Sequence, residues 1–296
     1  MTIAACYVSR EGVVLGSDST STFELEEKAS RHFDFAQKLF EFGESPSTMG
    51  AVTWGLGRPG EKSWRTLIAE TADYWTLTKP SSFDEAASIA ASMFWADYQH
   101  CYAEKLRQAR ELAAKGENVS SEDRTVLQDL NASFAGGFCI GGRWKPEREP
   151  CAYAIEFEPA LISVPQPQRL RIAKGYFWGC PNLIQRILYG IDLGLLNEIC
   201  SSGKWAGIDE ELIRLISEKY MNSPPFELPL REAIDWVFSS IYTTIKGMKF
   251  SGHQTFCGGP IELAVISSDR PFRWVCHKTM GAAVFALSSE QKGSRE

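Results

Sequence analysis

The sequence predicts an α+β fold in which two antiparallel sheets lie inside and helices lie outside. Three observations point there: two consecutive hairpins open the chain, long helical blocks interrupt the strands twice, and further short strands follow each block. Residues 3–8 (Ile-Ala-Ala-Cys-Tyr-Val) and 13–17 (Val-Val-Leu-Gly-Ser) read as strands joined by a turn over Ser9 to Gly12. Residues 38–42 set Leu39 and Glu41 against Phe40 and Phe42 in strand alternation. A turn over Gly43–Met49 leads to a return strand over 50–54.

Helices come next. Lys62 to Leu77 carries Trp64, Leu67, Ile68 and Trp75 at helical spacing. Ser82 and Glu85 form a capping box that opens a long helix to about Lys115, ended by Gly116. Residues 134–140, 151–156 and 170–178 read as strands. Pro181 starts a helix running to about Leu193, before Gly194. Asp209 caps a helix through Tyr220, and Pro229 opens another from 230 to 245 that Gly247 ends. Residues 261–267 and 272–277 are the last strands. One domain over 2–287, with a polar tail over 288–296, accounts for the chain.

Composition narrows the function classes. Of 296 residues, 44% are hydrophobic and 12% aromatic, enough for a large core. A net charge of −6 with mixed signs and no basic run argues against a nucleic-acid binder. No stretch has the apolar length of a membrane helix, and the first residues lack the pattern of a signal peptide. Eight cysteines occur without a C-x-x-C pair, so a metal site is not expected; they read as reduced thiols in the cytoplasm. The four histidines do not cluster, and no cofactor motif is present.

Chemistry concentrates near the start. Thr2 follows Met1, and a small residue there is the usual condition for methionine removal. The freed threonine would carry a hydroxyl nucleophile and its own α-amine as base. Asp18 lies sixteen positions after Thr2, and Lys38 opens Lys38-Leu39-Phe40-Glu41-Phe42. Gly55 follows the return strand in Thr53-Trp54-Gly55-Leu56-Gly57. By residue type alone, Asp18 also reads as a turn residue, Lys38 as a solvent-facing strand lysine and Gly55 as a turn glycine.

These residues together resemble the proteasome β-type peptidases, including the bacterial ring-forming relatives, within the N-terminal nucleophile hydrolases. Residues 2–57 carry the resemblance best; 172–193 and 252–266 carry it moderately. Residues 80–130 and 198–228 look longer than the family's usual elements. Thr2-Ile3-Ala4-Ala5 looks like the family's leading strand. Asp18-Ser19-Thr20-Ser21-Thr22 looks like its Asp-Ser-Arg-x-Thr, with Thr20 in place of Arg. Two stretches depart from the pattern. Gly179-Cys180-Pro181 stands for Gly-Ser-Gly, and Gln254-Thr255-Phe256-Cys257-Gly258-Gly259 stands for Asp-x-x-Ser-Gly-Gly.

The resemblance implies a four-layer αββα sandwich and an N-terminal threonine hydrolase of amide or peptide bonds. It implies that Lys38, held by Asp18, stabilises charge on the Thr2 oxygen, and that the Gly55 N–H serves the oxyanion. Cys180, Gln254 and Cys257 would surround the terminal amine. Ser21, Thr22 and Thr53 would face substrate, Thr22 through backbone pairing with an extended peptide. The partners implied are a peptide or protein substrate and a homo-oligomeric ring, with any unfoldase unidentified. Two competing functions remain at this point: an inactive structural subunit, and a small-molecule amidase without a ring.

Overall fold

The structure is a computed structural model describing residues 2–24, 30–116, 120–144, 148–202, 209–220, 226–252 and 257–278. Two five-stranded antiparallel sheets carry the molecule. The first has the order β10 (Lys174–Gly179), β1 (Ile3–Val8), β2 (Gly12–Ser17), β11 (Glu262–Ser267), β12 (Arg273–Cys276). The second runs β5 (Leu39–Glu41), β6 (Met49–Trp54), β7 (Gly136–Arg143), β8 (Pro150–Phe157), β9 (Gln168–Arg169). A separate ribbon pairs β3 (Ser21–Glu24) with β4 (Ser30–Phe33).

Strands β1 and β2 are apolar at nearly every position because both faces are covered. Side chains alternate across a strand, and here each set meets a different layer. Ala4, Cys6, Val8, Val13 and Leu15 join Leu39, Val52, Cys139 and Ala154 in a core between the two sheets. Ile3, Ala5, Tyr7 and Val14 instead pack against Ala233, Val237 and Ile241 of α7 (Leu230–Lys249). The second sheet divides in the same way. Its outer residues, among them Phe138, Ile140, Ile155 and Phe157, form the largest core with α1 (Trp64–Thr78) and α2 (Phe83–Ala114).

Helix starts follow their caps. Ser63 accepts from the amide of Thr66, and Ser82 accepts from the amide of Glu85. Glu85 reaches back one residue further than a simple capping box requires, to the amide of Ser81 at 2.7 Å. Helix α2 carries a break in helical geometry at Tyr102 (φ −109°, ψ 17°).

Several expected boundaries are corrected. An unexpected helix α3 (Ser121–Phe134) is capped by Ser120, which accepts from the amide of Asp123, and only Leu130 of it is buried. It packs on α2 at Ala109 and Leu112. The helix expected from Pro181 to Leu193 is two helices: α4 (Asn182–Tyr189) stops at Gly190, and Asp192 caps α5 (Leu193–Ser201) through the amide of Leu195. Helix α6 (Asp209–Tyr220) lies where expected. Gly247 does not end α7, which continues to Lys249; a β-carbon at 247 would sit 2.0 Å from Leu183 Cδ2 of α4. The expected strand over 170–178 is the shorter β10, and the β3–β4 ribbon had no sequence signal. The polar tail at 288–296 lies outside the described residues.

Candidate active site

Thr2 sits at the open end of β1, between the two neighbouring strands. On one side, Cys180 donates its amide to the Thr2 carbonyl at 2.8 Å. That approach requires Gly179: its φ is +84°, and a β-carbon there would fall 1.8 Å from the Thr2 oxygen. On the other side, the Asp18 amide donates to the Ile3 carbonyl (3.1 Å), and the Ile3 amide donates to Asp18 Oδ1 (3.1 Å). Thr2 is therefore pinned from both edges and is buried.

Asp18 and Lys38 form one buried unit. Asp18 is 0% exposed and Lys38 6%, which excludes the solvent-facing strand lysine. Lys38 Nζ lies 2.7 Å from Asp18 Oδ1 and donates also to the Thr20 carbonyl at 2.5 Å. Asp18 Oδ2 accepts from the amides of Thr20 (3.2 Å) and Gly258 (3.0 Å). Four donors thus converge on one carboxylate, two on each oxygen. Burial pushes the Asp18 carboxyl above its ordinary range, and Lys38 with the amides of Gly258 and Thr20 works against that push.

Thr2, Lys38 and Gly55 meet on one cavity of about 120 Å³, whose walls include Ser21, Thr53 and Trp54. Gly55 ends β6 at φ +74°, and a β-carbon there would lie 2.4 Å from the Ala135 oxygen. The β5–β6 ladder sets its level relative to Lys38: the Thr53 amide donates to the Lys38 carbonyl at 2.9 Å. Trp54 stacks on Trp178 of the facing sheet (4.4 Å between centroids, 6° between planes), which fixes the cavity wall. A larger cavity of about 500 Å³ adjoins and shares only Gln37 with it.

The remaining expected residues divide. Ser21 and Thr53 line the cavity, and the backbone of Thr22 pairs with His32 in the β3–β4 ribbon. Cys180 reaches Thr2 through its backbone, and burial pushes its thiol up. Cys257 is fully buried, its sulfur 3.1 Å from Met248 Sδ, and burial raises its thiol to about 12. Gln254 and His253 lie outside the described residues.

Sequence reasoning missed the brace around this corner. Thr20 Oγ1 donates to Asp34 Oδ1 at 2.9 Å, the Ser19 amide donates to the Gly258 carbonyl at 3.0 Å, and Ser19 Oγ donates to the Pro260 carbonyl at 2.7 Å. Asp34 carried no signal beyond its type; Ser19 and Gly258 stood inside motifs already noted. The eight cysteines form no disulfide with one another. Among the described residues, no group of three or more His, Cys, Asp or Glu is placed to hold a metal ion.

Neither a protein-family model nor a curated protein sequence matches the chain. Solved structures do match, among them the Anbu (Gly-1) mutant from Hyphomicrobium sp. strain MC1, which aligns over 100% of this chain and 98% of its own. The TM-score is 0.48 and the sequence identity 12%, a distant likeness that says nothing about chemistry. Among the described residues, no helix is long and apolar enough to cross a membrane.

Proposed function

We propose that this chain is a threonine-type hydrolase of amide or peptide bonds, with Thr2 as its nucleophile once Met1 is removed, on the αββα sandwich of N-terminal nucleophile hydrolases. The observation that carries the proposal is the convergence of Thr2, Lys38 and Gly55 on one small cavity, with Lys38 locked to the buried Asp18.

The chemistry runs as acyl transfer. Thr2 Oγ attacks the substrate carbonyl while its own α-amine, with an ordinary pKa near ~8, takes the hydroxyl proton. Lys38 as ammonium stabilises the oxygen as its charge grows. The Gly55 N–H receives the oxyanion, a contribution of roughly 3–4 kcal/mol per donor in other enzymes. The C–N bond breaks, the leaving amine takes the proton, and an ester on Thr2 remains. Water then adds to that ester and frees the acid and Thr2. A peptide or protein substrate, a homo-oligomeric ring and a cytoplasmic setting complete the proposal.

One observation favours a second reading, an inactive structural subunit. The Cys257 thiol is buried in an apolar cluster with its sulfur 3.1 Å from Met248 Sδ. Thr2→Ala decides between them. The hydrolase reading expects turnover of fluorogenic peptide amides by the wild type and a loss of at least ~100-fold in the variant, the scale seen on removing nucleophiles. Equal rates, or no turnover by either protein while both assemble alike, would favour the structural subunit.

A further inference from the structure

A second buried ion pair lies beside the first and takes no part in the chemistry described so far. Glu262 opens β11 opposite Ser17, the residue before Asp18, and is 0% exposed. Lys278, two residues beyond β12, places Nζ 3.2 Å from Glu262 Oε2 and 2.7 Å from the carbonyl of Ala36. His277 Nδ1 lies 2.8 Å from Glu262 Oε1, off the line of a well-formed hydrogen bond.

Ala36 stands two residues before Lys38. Its amide already donates to the Ser19 carbonyl at 2.9 Å. Several ties hold the segment that delivers Lys38: Thr20 donates to Asp34, the Ala36 amide to the Ser19 carbonyl, Arg65 to Gln37 Oε1, and Lys278 to the Ala36 carbonyl. The Lys278 bond brings a charged donor to the backbone of the segment, and hydrogen bonds to charged groups are the strong ones. The side chains of Lys278 and Glu262 are 10% and 0% exposed, so solvent screens little of the pair. Burial holds the Lys278 ammonium below its ordinary range against the pull of Glu262, and the nearby Lys38 adds to that depression.

We propose that Lys278, anchored by Glu262, is a positioning residue that fixes the Ala36–Lys38 segment and so sets where the Lys38 ammonium stands relative to Thr2. The proposal rests on the hydrolase reading for its kinetic consequence and on the geometry alone for its structural one. Misplacing a reacting group by about 1 Å costs on the order of 100-fold in rate.

The test pairs two readouts on the full chain. The first is the rate constant for Thr2 acylation by a β-lactone, separated from the lactone's binding constant. The second is the NMR ¹³Cε resonance of Lys38 in ¹³C-lysine protein at fixed pH. Lys278→Met is expected to slow acylation at least ~10-fold while leaving binding within about twofold, a change confined to the chemical step. It is expected to move the Lys38 resonance too. Lys278→Arg, which can still donate to the Ala36 carbonyl, is expected to restore both. Glu262→Gln keeps the side-chain shape and is expected to move the Lys38 resonance in the same direction by less; it carries the test should Lys278→Met not fold. An unmoved Lys38 resonance in a folded variant, or failure of Lys278→Arg to restore it, overturns the proposal. Absence of acylation in the wild type refutes the hydrolase reading instead, and the resonance still decides the positioning role.

Discussion

Breaking the Asp18–Lys38 pair from each side and then from both is the perturbation that the structure prices most clearly. In Lys38→Met, a fully buried carboxylate keeps three amide donors, from Ile3, Thr20 and Gly258, and loses the counter-charge of Lys38. In Asp18→Asn, a buried ammonium keeps the Thr20 carbonyl and one amide oxygen. Removing one partner of a buried pair typically costs ~3–5 kcal/mol, because the survivor stays desolvated without compensation. The double variant removes both charges of this pair, so it should fall short of the summed single costs by roughly 2–3 kcal/mol, the upper range of coupling between contacting residues. Urea unfolding of the four proteins measures this directly. Single costs that add to within ~0.5 kcal/mol would refute a direct pair, since uncoupled sites behave that way.

Further predictions follow from separate features. Gly179→Ala forces a side chain onto the Thr2 carbonyl at a positive φ; it should lower stability by more than ~1–3 kcal/mol, the ordinary cost of overpacking, and thermal unfolding reads it. Burial would raise Asp192, but the Leu195 amide and Arg186 outweigh it and hold the carboxyl below its ordinary range. Its stabilisation is therefore present above the unfolded value of about 3.9 and is lost as pH falls through the folded one. Asp192→Asn keeps a cap, so its deficit should be largest near neutral pH and shrink below about pH 4 in urea midpoints; a pH-independent deficit contradicts this. Cys257, fully buried and raised to about 12, should resist iodoacetamide at pH 8 in the native protein and react in urea, as mapped by peptide mass spectrometry. Trp54→Leu should open the cavity wall and lose the stack on Trp178, worth ~0.5–1.5 kcal/mol beyond its area, read as a lower thermal midpoint.

Much of the first fifty-five residues was legible in the sequence, because there the signal is local. The hairpin of β1 and β2 is short, its turn residues are adjacent, and alternation on two covered faces leaves an unbroken apolar run. The spacing of Thr2 and Asp18 is set by that hairpin, so counting residues recovers it. Lys38 was ambiguous: its burial depends on Asp18 across the corner, which no local pattern carries. The α4–α5 break and the extent of α7 were misjudged for the opposite reason. Gly190 and Gly247 look alike in sequence, yet one ends a helix in a left-handed turn and the other lets Leu183 approach mid-helix. Helix α3 does carry a local signal, the Ser120 cap with Glu122 and Asp123 in the first turn, but only Leu130 of it is buried. Lys278 is 240 residues from Lys38, and only β11 pairing with β2 brings it near.

The central claim is that Thr2 is an N-terminal nucleophile. Intact mass spectrometry of the purified protein, before and after a β-lactone or epoxyketone that captures N-terminal threonine, tests it most directly. The account predicts loss of Met1 and a single adduct that maps to Thr2. Retention of Met1, or a freed Thr2 that stays unmodified, contradicts it.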